Sequence, residues 1–214
     1  MMKHWGLFVV ALLMGLFMAG NTAEATTVKF DSHMITSKNL TSNGVIKYHV
    51  ASQAKIYNSE IKQATNKWNK ALGKKVFVPT TSTTKSRLVI TNGSITPGLA
   101  GVAEVNSGVV ALNSSVMARY SSNKRQAVII HELGHTLGTK DLYLYPNANL
   151  RSKFQKSAIM GGNYSTTIKK FDSDLAKWSL SKTKSVSTKT LTIIEACQTF
   201  TSKNMSMLSD VDFR

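Results

Sequence analysis

Two histidines four residues apart, His131 and His135, follow directly on the apolar run Ala127, Val128, Ile129 and Ile130. On a helix that spacing sets both imidazoles on one face, one turn apart. Four apolar residues in succession leave this helix no continuous polar side, so it must be buried. The spacing predicts a helix over residues 122–137, with Ser122 or Asn123 as its cap. Gly138 follows, a residue that adopts positive φ without steric cost and so turns the chain sharply out of a helix.

Two ring nitrogens placed in this way can both reach one zinc ion at about 2.0–2.1 Å. Glu132, next to the first histidine, is placed to take a proton from water at such a metal and later deliver it to a leaving amine. The pattern is H-E-x-x-H, with the mechanics of a zinc peptidase attached. A chance occurrence on a solvated helix is the alternative. The apolar run argues against it, as does the placement here of two of the chain's five histidines. The bend at Gly138 can swing Asp141, three residues on, back toward the metal, and a carboxylate is an acceptable third ligand. Asp172 and Asp174, from a following helix, are the rival third ligands.

The stretch from His131 through Gly138 to Asp141 resembles the extended motif of the metzincin clan of metallopeptidases, H-E-x-x-H-x-x-G-x-x-H. Aspartate in place of the last histidine is similar to the snapalysin-like branch, and the upstream strands resemble those of matrixin-like members. The resemblance implies a zincin-like α+β fold and one catalytic zinc held by His131, His135 and Asp141, with Glu132 as general base. It further implies that Met160, in Ser157-Ala158-Ile159-Met160-Gly161, forms the Met-turn beneath the metal. Leu99, Ala100, Gly101, Val102 and Ala103 resemble the edge strand along which a peptide substrate lies, and residues 109–113 the strand that follows. By the same resemblance Tyr164 is a candidate to stabilise the oxyanion, with Tyr143 and Tyr145 as weaker candidates. The departures carry expectations too. Only His4, His33 and His49 remain outside the motif and acidic clusters are absent, so neither a structural zinc nor calcium is expected. No cysteine stands upstream to plug the metal, and the aspartate's extra negative charge should weaken the zinc as a Lewis acid.

The remainder of the chain frames this centre. Residues 1–25 read as a secretory signal peptide: a basic start, an apolar run over residues 5–19, and Ala23-Glu24-Ala25 as the cleavage signal. A secreted or cell-surface-associated product is therefore expected, with no further segment apolar enough to span a membrane. Residues 26–180 form the catalytic domain, and residues 181–214 a Ser/Thr/Lys-rich linker and tail. Strands are predicted at residues 28–30, 45–50, 76–78 and 87–91, and a hairpin at 100–105 and 109–112. Asn92-Gly93 and Pro97-Gly98 mark turns. Helices are predicted at 56–72, stopped by Gly73, and at 172–180, capped by Asp172 or Ser173, with a loop across 138–162. A last strand or short helix falls at 191–196, beside the lone Cys197, which reads as a buried thiol. The expected architecture is α+β, a small twisted mixed sheet on two long helices with a third helix after the Met-turn.

The net charge of +16 favours loose attraction to anionic cell-wall polymers. The lysines are mixed with Ser and Thr, and no Arg-rich or aromatic-plus-basic module speaks for specific nucleic-acid binding. These readings converge on a monomeric, secreted zinc metalloendopeptidase acting on protein or peptide. The alternative is a non-catalytic cationic surface-binding protein that keeps a structural metal site. A structural zinc site usually has four protein ligands and needs no base, whereas three ligands and Glu132 are present here.

Overall fold

The computed structural model describes residues 28–186. The readings of the signal peptide, of residues 191–196, of Cys197 and of the tail end lie outside them. The short strand β1, Lys38–Asn39, leads to β2, Ile46–Val50, and then to a 3-10 turn at Ser52–Tyr57 and helix α1, Asn58–Leu72. Gly73 stops α1 in the left-handed conformation, its N–H bonded back to the helix carbonyls. Strands β3 (Phe77–Pro79), β4 (Leu88–Gly93), β5 (Gly101–Glu104) and β6 (Val109–Asn113) follow. The one-turn α2, Ser114–Met117, precedes the central helix α3, Ser122–Thr136. Helices α4 (Ala148–Ser157) and α5 (Lys170–Lys182) and the short strand β7 (Lys184–Ser185) complete the order.

The main sheet has five strands in the order β3-β2-β4-β6-β5. The first four run parallel, and β5 closes one edge antiparallel to β6. Parallel strands are buried on both faces, and β6 is buried at all five positions. On one face lie α1 and α3: Trp68 of α1 is fully buried and donates its indole N–H to the carbonyl of Ile130 at 2.9 Å. On the other face a small cluster of Val109, Ala111, Ile95 and Val102 packs under the loop before β5. The expected α+β architecture, a mixed sheet on two long helices with a third helix after Met160, is what the structure shows.

Several local expectations need correction. Residues 28–30 form no strand; Phe30 is anchored by its ring, against Phe171 and Trp178 at 5.6 and 5.7 Å between centroids. Asn92 and Gly93 do not turn but extend β4, because β6 is long enough to pair with both. The cap of α3 is Ser121, whose side chain accepts from the Lys124 N–H. The first helix begins two residues later than expected, since Ile56 belongs to the 3-10 turn and is exposed. Helix α5 begins at Lys170, and Asp172 lies inside its first turn. The expected loop at 138–162 contains α4, capped by the Asn147 side chain on the Leu150 N–H. Its only buried residue is Phe154, too little apolar signal to betray a helix in the sequence. Finally, residues 181–186 end α5 and build β7, which pairs parallel with β1. Half-buried Arg87 fastens this pair by donating to the Leu40 and Val186 carbonyls and the Ser185 hydroxyl.

Candidate metal centre

The last two turns of α3 carry His131, Glu132 and His135. The Nδ1 of His131 lies 3.0 Å from the Ile159 carbonyl and that of His135 lies 2.9 Å from the Thr139 carbonyl. A carbonyl only accepts, so both Nδ1 atoms carry protons and both Nε2 atoms are left with lone pairs. This carbonyl hold on the distal nitrogen is the arrangement that fixes metal-ligating imidazoles.

Asp141 completes the cluster. Gly138 has φ +88°, and a Cβ there would lie 2.6 Å from the Ser179 Oγ and 3.0 Å from the Lys38 carbonyl oxygen, so only glycine makes this turn. The turn is held from outside by the N-terminal segment. Thr36 N–H donates to Gly138 O at 2.8 Å, Leu40 N–H to Thr136 O at 2.9 Å, and Lys140 N–H to Met34 O at 2.9 Å. Asp141 Oδ1 thereby reaches 3.0 Å from His131 Nε2 and 3.4 Å from His135 Nε2. A tetrahedral ion bound at 2.0–2.1 Å keeps its ligand atoms about 3.4 Å apart, so these separations fit zinc. The same Asp141 oxygen is buried without a hydrogen-bond partner, facing two nitrogen lone pairs. A positive charge at their common centre satisfies all three atoms. Without an ion, a proton on the rings takes the place of that positive charge, and the protonation equilibria show the same attraction. Burial opposes the charged imidazole of His135, yet the Asp141 carboxylate overrides it and holds the ring up to about 9. Asp141 in turn is held well below the usual carboxylate range: burial opposes this, and both imidazoles outweigh it.

The rival third ligands are elsewhere. Asp172 accepts from the Ile159 N–H at 2.7 Å and the Lys169 N–H at 3.0 Å, and Asp174 pairs with Lys170 at the surface. Asp172 has instead a positioning role that sequence reasoning missed. It grips the N–H of Ile159, whose carbonyl holds His131. Met160 follows in a single 3-10 turn, Ile159–Gly161, ended by Gly162 in the left-handed conformation. The methionine is buried under α3, and a Cβ on Gly134 would lie 2.4 Å from its sulfur. Gly161 is equally constrained, since a Cβ there would lie 2.1 Å from the Phe154 carbonyl oxygen at the end of α4.

Glu132 faces a cleft of about 360 Å³, among whose lining residues are Leu99, Ala100, Gly101, His131, Tyr143 and Tyr164. Burial pushes its carboxyl above the usual range. Gly101, at the start of β5, is a close neighbour: a Cβ there would lie 2.9 Å from Glu132 Cγ. The sequence offered no signal for this contact. Gly101, Val102 and Ala103 lie on the edge strand of the sheet, with Leu99 and Ala100 just before it. Tyr164 sits at the rim of the cleft, 52% exposed and with φ +50°, the Lys124 ammonium 4.7 Å from its ring centroid. The Tyr143 ring lies nearly parallel to that of His131, at 6.3 Å. Tyr145 is not in this cleft: its hydroxyl donates to Asp31 and its ring packs on Phe154. A second hollow of about 380 Å³ opens beyond the cluster, lined by His33, Thr36, His135, Lys140, Asp141, Leu144 and Pro146. Among the described residues no helix is long and apolar enough to cross a membrane.

No family model matches the sequence. No curated protein matches it either. Among solved structures, the chain is similar to archaemetzincin from Methanopyrus kandleri, with 13% identity over 66% of this chain and 98% of that one and a TM-score of 0.43. It is similar to myroilysin, with 15% identity over 65% and 75% of the two chains and a TM-score of 0.42. It is also similar to high choriolytic enzyme 1, a hatching-enzyme zinc-protease of the medaka fish Oryzias latipes. That likeness has 22% identity over 54% of each chain and a TM-score of 0.33.

Proposed function

We propose that this chain is a secreted, zinc-dependent metalloendopeptidase of matrixin-like or snapalysin-like type. The observation that carries the reading is the convergence of His131 Nε2, His135 Nε2 and Asp141 Oδ1 at zinc-ligand separations, with Glu132 beside them in an open cleft. The three ligands leave one position for water or substrate. Bound there, zinc supplies a Lewis acid that polarises a carbonyl and acidifies water.

The chain's own residues do the rest. An extended peptide pairs with the outer edge of β5, which no other described strand covers, beside the cleft. The hollows on both sides of the ligand cluster let a polypeptide continue past the scissile bond, as cleavage within a chain requires. Glu132 takes the proton of the attacking water and returns it to the leaving amine, and its raised affinity for protons suits that exchange near neutral pH. Tyr164 at the rim supplies a hydroxyl for the oxyanion. The signal-like residues 1–25 support export, and the positive charge supports loose association with anionic wall polymers. The chain acts as a monomer.

Two measurements on the mature chain test this reading. Glu132→Gln should retain one zinc per chain by metal analysis and lose peptide cleavage by about 10³-fold or more. Undiminished cleavage by that variant, or a wild-type chain that binds zinc and cleaves nothing in a peptide library, rejects the assignment.

A further inference from the structure

Charge is distributed very unevenly along this chain. Residues 32–103 contain ten lysines and arginines and a single acid, Glu60. That acid is buried and spent: its carboxylate accepts from Ser122 and from Arg125, each at 3.0 Å. Three of the ten cations are likewise engaged, Arg87 on the carbonyls around β7, Lys67 on Gln126 and the Thr166 carbonyl, and Lys38 on Asn106. The remaining acids of the described residues lie at the ligand cluster, at the β5 end or on the segments around the second hollow and α5.

Helix α1 and its two flanks carry four of the free cations. Lys62, Asn66 and Lys70 recur every four residues and so share one exposed stripe, and exposed Lys55 and Lys74 flank the helix, on the 3-10 turn before it and just past the Gly73 stop. The neighbouring exposed positions are Ile56, Asn58, Ser59 and Gln63, so the described residues of this face add amides, a hydroxyl and one aliphatic side chain but no acid. The sheet order places this half of the molecule beside β3 and β2, at the edge opposite β5. Four strand spacings, about 19 Å, separate the two edges.

We propose that the exposed face of α1 is an anchoring surface for a flexible phosphodiester polymer of the poly(glycerol phosphate) kind found in cell walls. The face is dominated by lysine point charges and neutral donors, with Ile56 as its one aliphatic side chain, which suits singly charged phosphates on a pliable chain. It has neither an exposed aromatic ring to stack a base nor a free arginine to read one, so a nucleic acid is disfavoured. Because the face lies toward the sheet edge opposite β5, an anchored molecule keeps its cleft open to substrate. The proposal rests on the wall-polymer association of the proposed function and gives it a site; that site is separate from the ligand cluster, so it stands or falls independently of the peptidase chemistry.

The test is equilibrium binding of the mature chain to purified poly(glycerol phosphate), with single-stranded DNA as a second probe. Lys55, Lys62, Lys70 and Lys74 are changed together to Gln, and Lys29, Lys153, Lys156 and Lys184 together to Gln in a control of equal net charge. The first variant should bind the polymer at least 10-fold more weakly, with its salt slope reduced by about 3, and the control should stay within twofold of wild type. Hydrolysis of a small neutral peptide and the thermal melt of both variants should match wild type. Equal losses in the two variants would show that net charge alone acts, and tighter binding to DNA than to the polymer would identify a different partner. Either result overturns the proposal.

Discussion

The three ligands of the metal centre are held in two different ways. His131 and His135 stand on α3, whose period sets their spacing and whose burial against Trp68 fixes the helix. Asp141 stands on a turn that no local rule completes. Its position needs the Gly138 bend and three backbone hydrogen bonds from residues about a hundred positions upstream. The first pair is encoded locally and stiffened by packing. The third is encoded by contacts across the chain, and such regions open more readily than core helices. The difference teaches where this centre is vulnerable: zinc affinity should be lost through the Asp141 turn long before the histidine helix yields.

The strongest challenge is Gly138→Val. A side chain cannot follow φ +88° without strain, and it collides with Ser179 and Lys38. We expect about 2–4 kcal/mol of lost stability and at least a 100-fold loss of zinc affinity, read by thermal melting and chelator competition. Unchanged zinc affinity would break the comparison. A gentler probe is Thr36→Pro, which removes the N–H that Gly138 accepts. Zinc affinity should fall about 10- to 100-fold, with hydrogen exchange rising at residues 138–141 and staying slow at 127–135. The helix side is probed by Gly134→Ala. Alanine is the better helix former, but its Cβ meets the Met160 sulfur. We expect a net cost of about 1–2 kcal/mol that is less than additive with Met160→Ala, because truncation vacates the contested space.

The smallest effect is a pH dependence remote from the metal. Glu60, packed between α1 and α3, is held below the usual carboxylate range. Burial opposes its ionisation, but its own backbone N–H, the Ser122 hydroxyl and Arg125 prevail. A depressed folded-state value means that its contribution is complete above the unfolded value of about 4.5 and is lost as pH falls through the folded one. Stability should therefore decline below about pH 4.5, by at most roughly 1.4 kcal/mol per pH unit from this group. Glu60→Gln should flatten that decline while leaving zinc affinity at neutral pH untouched.

The same division explains what could be read from the sequence. The histidine helix, the Gly138 bend and the hairpin of β5 and β6 were legible because each follows from neighbours a few residues apart. Met160 was legible only through resemblance, and the structure adds the reason for Gly134, which makes room for its sulfur. Helix α4 was hidden because its stability comes from the burial of one residue, Phe154, against Phe171 and Tyr145. The parallel order of the sheet, the grip of Asp172 on Ile159 and the closeness of Gly101 to Glu132 depend on pairings that no spacing records.

One feature of the scaffold bears on how such a protein can be held. Strand β1 pairs with β7, and the segment around it bonds to the ligand turn, so residues 34–40 link the strand after α5 to the turn that carries Asp141. Tension applied through this linked pair of strands should reach the Asp141 turn before the histidine helix. A molecule tethered by its termini would shed its ion under load, whereas one held through α1 would keep it. Single-molecule pulling from the two attachment points, with zinc release as the readout, distinguishes these mechanical fates.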